Sequence, residues 1–308
     1  MSIKWKIFLI IQLMVFCTVW LAVHSIFSNN LEIVACDVGQ GDGFLLTYKS
    51  TQVIIDGGPN KKIVNCVGKN IPFWDREIEL VILTHPQKDH FLGLIEIFKN
   101  YNVDNFLANN LDNSTDEYRL LVSTVVGGKT VVLNPADISN LRVGLIYLDI
   151  LSPKKEYLDK NSEEKKENYN EEQGELSSVL GKFTSKLDPN EFSIVTLARY
   201  GNFKALFTGD ISPEKSDEVA QILKKSGVGQ VNYIKVPHHG SRNGMSASLL
   251  ETVNPEIAVI SAGKNNSYGH PHEEILKMLG DKNVKILRTD QMGDVVVETD
   301  GNKLLTKK

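Results

Sequence analysis

Cysteine is scarce in this chain: three residues among 308, Cys17, Cys36 and Cys66. That excludes a dense disulfide framework, and none of the three has metal-ligand spacing. Any metal ion would therefore be held by nitrogen and oxygen. Cys17 lies in an apolar run and reads as a small buried hydrophobe. Cys36 and Cys66 could pair in an oxidising compartment, although nothing in their spacing requires it. Excess positive charge is missing too. The formal net charge of −4 excludes a protein that coats nucleic acid by electrostatics alone. It does not exclude an enzyme whose bound cations face phosphates. No internal repeat is evident, and no histidine occurs between His90 and His238.

What is present is a chain able to fold around a core, 42% hydrophobic and 23% charged, long enough for one large domain or two ordinary ones. Residues 7–27 contain no Lys, Arg, Asp or Glu and follow Lys4 and Lys6. A helix of that length spans roughly 30 Å, the thickness of a hydrocarbon core. The basic flank would leave residues 1–6 as a cytoplasmic tail and the remainder outside. The expected organisation is a single-pass signal-anchor at 7–27 in the cytoplasmic membrane, then a domain at 31–308. The alternative is a secreted protein, cleaved after a signal peptide near Ala22-Val23-His24-Ser25.

Strand-like runs occur at 31–37, 44–48, 52–56, 79–83, 129–133, 144–151, 192–199, 204–208, 233–236, 257–261 and 285–288. Helical spacing occurs at 91–99, 214–225, 246–252 and 272–279. Many strands with interspersed helices predict a layered α/β domain whose site lies on loops at strand ends. The segment 154–175 is mostly charged and nearly devoid of apolar residues, so it is expected to be a flexible surface insertion.

Six of the seven histidines fall in three clusters, His85/His90, His238/His239 and His270/His272. Each follows an apolar strand and neighbours Gly, Pro or Asp. Imidazole with carboxylate is the donor set of catalytic zinc or manganese. The first cluster also carries Asp89, next to His90.

The motifs Asp37-Val38-Gly39-Gln40-Gly41-Asp42, Ile55-Asp56-Gly57-Gly58, Thr84-His85-x-x-x-Asp89-His90-x-x-Gly93-Leu94, Phe207-Thr208-Gly209-Asp210, Val236-Pro237-His238-His239-Gly240-Ser241 and Tyr268-Gly269-His270-Pro271 follow one another in order. Together they resemble the metallo-β-lactamase superfamily, specifically the hydrolase domain of the ComEC/Rec2 competence proteins in a stand-alone, anchored form. The resemblance implies an αββα four-layer sandwich with one or two divalent ions, Zn2+ or Mn2+, at one edge. His85 would bind the first ion, Asp89 and His90 the second, and Asp210 both. His238, first after its strand, would complete the second site. Asp210, His239 and His270 are the expected catalytic residues, the two histidines as proton donors. Asp37, Asp42, Asp56, Gln87, Asn190, Ser241 and Asn243 are expected behind the ligands or against substrate. His272 reads as a surface or helix-start residue. Lys224, Lys225, Lys235 and Arg242 would line a path for phosphates.

Two departures weaken the first site. Gln87 stands where the superfamily has His and the competence branch commonly Asp, and a neutral amide is a weak ligand. A further histidine expected before Asp210 is also missing, and Asn190 with Ser193 occupies that stretch. The activity implied is an extracytoplasmic phosphodiesterase or nuclease using a metal-activated hydroxide. Its partners would be single-stranded DNA or another phosphodiester, the membrane through 7–27, and a DNA-uptake channel. The competing readings are an exported esterase on envelope phosphoesters such as phosphorylcholine, and a non-catalytic binding module. β-Lactam hydrolysis is not expected.

Overall fold

A computed structural model describes residues 2–26, 29–164 and 180–306. Helix α1 (Ile3–Ile26) coincides with the apolar run. Among the described residues, no helix is long and apolar enough to cross a membrane. Part of the expected span lies outside them: residue 27, and the side chains of 19 and 21–26.

The first sheet is built from β1 (Leu31–Ala35), β2 (Gly43–Tyr48), β3 (Thr51–Gly57), β4 (Glu77–Leu83), β5 (Asn102–Ala108) and β6 (Val131–Leu133). Two late strands complete it beyond β1, which is followed across the sheet by β2, β3, β4, β5 and β6. The second sheet takes β7 (Asn140–Val143), β8 (Ile146–Ser152), β11 (Val195–Tyr200), β12 (Phe203–Phe207), β13 (Tyr233–Lys235), β14 (Ile257–Ile260) and β15 (Lys285–Arg288). Its order is β15-β14-β13-β12-β11-β8-β7. The late strands are β16 (Val295–Thr299) and β17 (Leu304–Thr306), and β16 runs antiparallel to β1.

Alternation along the strands explains the layers. Ile33, Phe44, Leu46, Val53 and Ile55 from the first sheet meet Leu148, Ala198, Ala205, Phe207 and Val259 from the second in one buried core. The opposite faces are apolar as well, because both sheets are covered outside. Helices α2 (Lys62–Asn70), α3 (Lys88–Asn100) and α4 (Asp116–Val126) cover the first sheet through Ile63, Phe91, Leu94 and Leu121. Helices α6 (Pro213–Lys225), α7 (Ala247–Val253) and α8 (Glu273–Asp281) cover the second through Val219, Leu249 and Leu279. The four layers are helix, sheet, sheet, helix.

The charged segment is not wholly irregular. Helix α5 (Lys155–Asn161) buries Leu158 against Leu111 and Phe192, and β9 (Glu163–Glu164) pairs with β10 (Phe183–Thr184). Its charge count hid one leucine with apolar cover. The rest of the expected insertion, 165–175, lies outside the described residues. Cys36 and Cys66 form a disulfide, Cα atoms 5.9 Å apart, tying the end of β1 to α2.

Strand direction gathers the motifs. The chain leaves β1, β4, β12, β13 and β14 at one edge of the sandwich and enters β2, β11 and β16 there. The histidine motifs and Asp42, Asp89 and Asp210 sit on those connections, and Asp56 stands at the end of β3, which finishes at the same edge.

Candidate metal centre

The connections converge on Asp89, His90, Asp210 and His239, each offering a ligand atom within 4.8 Å of the others. Asp210 Oδ2 lies 3.1 Å from His239 Nε2 and 3.4 Å from His90 Nε2. Asp89 Oδ2 lies 3.4 Å from His239 Nε2. Asp89 and His90 open α3, where the helix N-terminus tolerates acidic groups. Asp210 follows β12, and His239 follows β13.

The imidazoles are oriented from behind. His90 Nδ1 donates to Asp56 Oδ2 at 2.9 Å, and His239 Nδ1 donates to the Ser261 carbonyl at 3.0 Å. Thr84 donates its hydroxyl to Asp56 Oδ2 at 2.8 Å, leaving its oxygen to accept from His85 Nδ1 at 3.0 Å. All three rings therefore keep a proton on Nδ1 and turn Nε2 inward. His85, His90 and His239 Nε2 are buried and have no hydrogen-bond partner, an arrangement that is costly unless something else binds there. Imidazole nitrogens with carboxylates fit a divalent cation such as zinc or manganese.

Electrostatics agree. Burial alone would lower the affinity of His90 and His239 for protons, yet Asp210, Asp56 and Asp89 around His90, and Asp210 and Asp42 around His239, raise both well above the ordinary imidazole range. Burial raises Asp89, but His90 and His239 outweigh it and hold its carboxyl below the usual range. The cluster demands positive charge, which protons or a cation can supply.

Lys235 is the unforeseen member. Its expected place on a phosphate path is wrong: the side chain is buried. Its ammonium donates to Gly209 O at 2.6 Å and Asp210 Oδ1 at 3.0 Å, and it pairs closely with Asp42. Asp210 thus gives one oxygen to the lysine and turns the other to the imidazoles. Asp42 also approaches His239 Nδ1, at 3.3 Å. A lysine ending a fully buried strand, Tyr233–Lys235, is the signal that could have found it, since a buried cation requires an acid. Lys224 and Lys225 end α6, which runs away from the site, so they leave the path as well. Arg242 stays near the site, exposed, 3.5 Å from Glu274.

Other expectations shift. His239, not His238, is brought to the cluster. Both have left-handed backbones, φ 52° and 54°, and this tight turn sends the second ring inward and leaves the first half-buried. His85 lies in none of the groups able to share an ion. Gln87 donates to Asp188 at 3.4 Å. Ser193 Oγ accepts from Asp210 N at 3.2 Å and contacts His85 Nδ1 at 3.3 Å. Asn190 is buried on the short turn Pro189–Phe192. Asp37 accepts from Gly39 N, shaping its own loop. Ser241 Oγ accepts from the exposed Asn243 N at 3.2 Å, forming a turn. Burial, then the imidazoles of His239, His238 and His272, pull His270 down to about 4. His272 precedes α8 as its cap residue.

Comparison with known proteins accords with this geometry. No protein-family model matches the chain. ComE operon protein 3 of Bacillus subtilis is 27% identical over 91% of the chain and 34% of its own length. Recombination protein 2 of Haemophilus influenzae is 25% identical over 80% of the chain and 26% of its own length. The chain therefore spans about a third or less of these relatives. Among solved structures, the metallo-β-lactamase fold protein YhfI from Bacillus subtilis superposes with a TM-score of 0.53 at 10% identity, covering 87% of this chain and all of that one. The chain is thus a metallo-β-lactamase-fold protein whose sequence resembles one segment of the ComEC/Rec2 competence proteins.

Proposed function

We propose that the chain is a metal-dependent hydrolase of phosphodiesters, acting outside the cytoplasmic membrane. The observation that carries this reading is the set of inward-turned Nε2 atoms of His85, His90 and His239, buried without a hydrogen bond, with the carboxylates of Asp89 and Asp210 beside the last two. A divalent cation held by Asp89, His90, Asp210 and His239 would supply Lewis acidity and make water a better nucleophile at neutral pH. The chain's own groups prepare that place. Asp56 and Ser261 fix the rings, and Lys235 holds Asp210 by its far oxygen so that the near one faces the imidazoles. His238 and His270, both lowered in pKa and half-buried, add no charge to the mouth of the site.

The phosphodiester as substrate rests on similarity to the competence proteins. Export is supported by the disulfide, which persists in oxidising compartments. Exposed apolar side chains along α1, from Ile7 to Phe16, support its contact with a membrane.

The test is metal analysis of the full chain together with turnover on single-stranded DNA, RNA, a bis-aryl phosphate and phosphorylcholine esters, with zinc or manganese. Phosphodiester cleavage that disappears with the metal in Asp210→Asn is the expected result. Metal-loaded, folded protein that turns over none of them would sink the reading. Turnover of phosphorylcholine esters alone would move it to envelope esters.

A further inference from the structure

The mouth of the site carries a ladder of rings. His239 is followed by His270 at 6.2 Å between centroids and 29° between planes, and His270 by Tyr268 at 5.6 Å and 23°. These are offset-stacked separations. The ladder begins at a ring of the ion cluster and ends at a tyrosine that is 66% exposed. A single exposed aromatic needs no explanation; one aligned with the cluster through an intervening imidazole does.

The loop presenting Tyr268 is held in place. Asn266 donates to Gly263 O at 2.9 Å and His270 O at 2.7 Å, and accepts from His270 N at 3.0 Å. Gly263 N in turn donates to Gln40 Oε1 at 3.0 Å, in the loop that leads to Asp42. The loop is thus held relative to the ion cluster, and the Tyr268 ring lies two stacking steps from His239.

We infer that Tyr268, backed by His270, is a stacking platform for an unpaired nucleobase beside the phosphodiester bound at the cluster. The inference rests on the phosphodiester reading and narrows it. A duplex keeps its base faces covered, whereas an unpaired base offers a π-face to a ring. Stacking of this kind is tolerant of base identity, so the platform selects single strands over duplexes without selecting sequence. A phosphodiester lacking an aromatic group next to the phosphate would gain nothing from it.

The experiment compares binding of a fluorescent oligothymidylate and an abasic deoxyribose-phosphate oligomer of equal length and charge to the full chain. Wild type should favour the base-bearing oligomer, Tyr268→Ala should lose roughly 5- to 100-fold on that oligomer alone, and Tyr268→Phe should retain it. Equal binding of the two oligomers by wild type overturns the platform, as does an unchanged affinity in Tyr268→Ala. Those failures leave the phosphodiester reading intact if the bis-aryl phosphate is still cleaved. Cleavage of neither that ester nor any oligomer removes both.

Discussion

Lys235 shows what a single side chain does beneath this site. Its ammonium is buried between Asp42 and Asp210, and burial of a charge is tolerated only with such partners. Lys235→Met should destabilise the fold by about 3–5 kcal/mol, because two buried carboxylates lose their counter-charge. Thermal denaturation checks this, and adding Asp42→Asn should cost less than the sum of the single changes, since the two share one interaction. Additive losses would mean the pair is not coupled. The histidines themselves were legible in the sequence from clustering beside Gly, Pro and Asp. Which of the pair turns inward was not, because that depends on left-handed backbone at His238 and His239. Chain order favoured His238; the turn favours His239.

At the scale of elements, α3 carries Asp89 and His90 and owes its place to a close approach. A Cβ on Gly93 would stand 1.9 Å from the Gly57 carbonyl oxygen, at the end of β3. Alanine gains roughly 1 kcal/mol in helix propensity, but a backbone oxygen cannot step aside as a flexible side chain would. Gly93→Ala is therefore expected to destabilise by about 1–3 kcal/mol and to weaken metal binding with it, measured by denaturation and by metal titration. Intact stability with lost metal would indicate a shift of α3 alone. Strands with clean apolar runs, such as β4 and β14, were readable in advance, as was α6 from its spacing. Others were not. The strand β5 is interrupted by Asp104 and Asn105, α2 includes Gly68 and has no side-chain cap, and α4 is absent from the sequence-based expectation although Thr115 caps it by accepting from Tyr118 N. These elements exist because the first sheet has an apolar face to cover, a condition that no local window contains.

For the molecule as a whole, the balance of donors points to one strongly held ion. Four ligand atoms converge in the half containing His239, while His85 stands with Ser193 and a glutamine directed to Asp188. Metal analysis should find close to one equivalent, and Gln87→His should raise it towards two by adding an imidazole beside His85. An unchanged value would mean that position 87 does not reach the cluster in any rotamer. The four-layer architecture was legible before the structure through the ordered motifs; the unequal halves were legible only as missing residues. One further consequence belongs to the path of the chain. Leu31 enters β1 at the end opposite to Asp37, and the five residues of β1 carry the chain about 17 Å before the site is reached. The reacting groups therefore open at the edge of the sandwich opposite to the one where Leu31 enters it. A substrate reaches them from that open edge, without passing the side on which the chain enters its first strand.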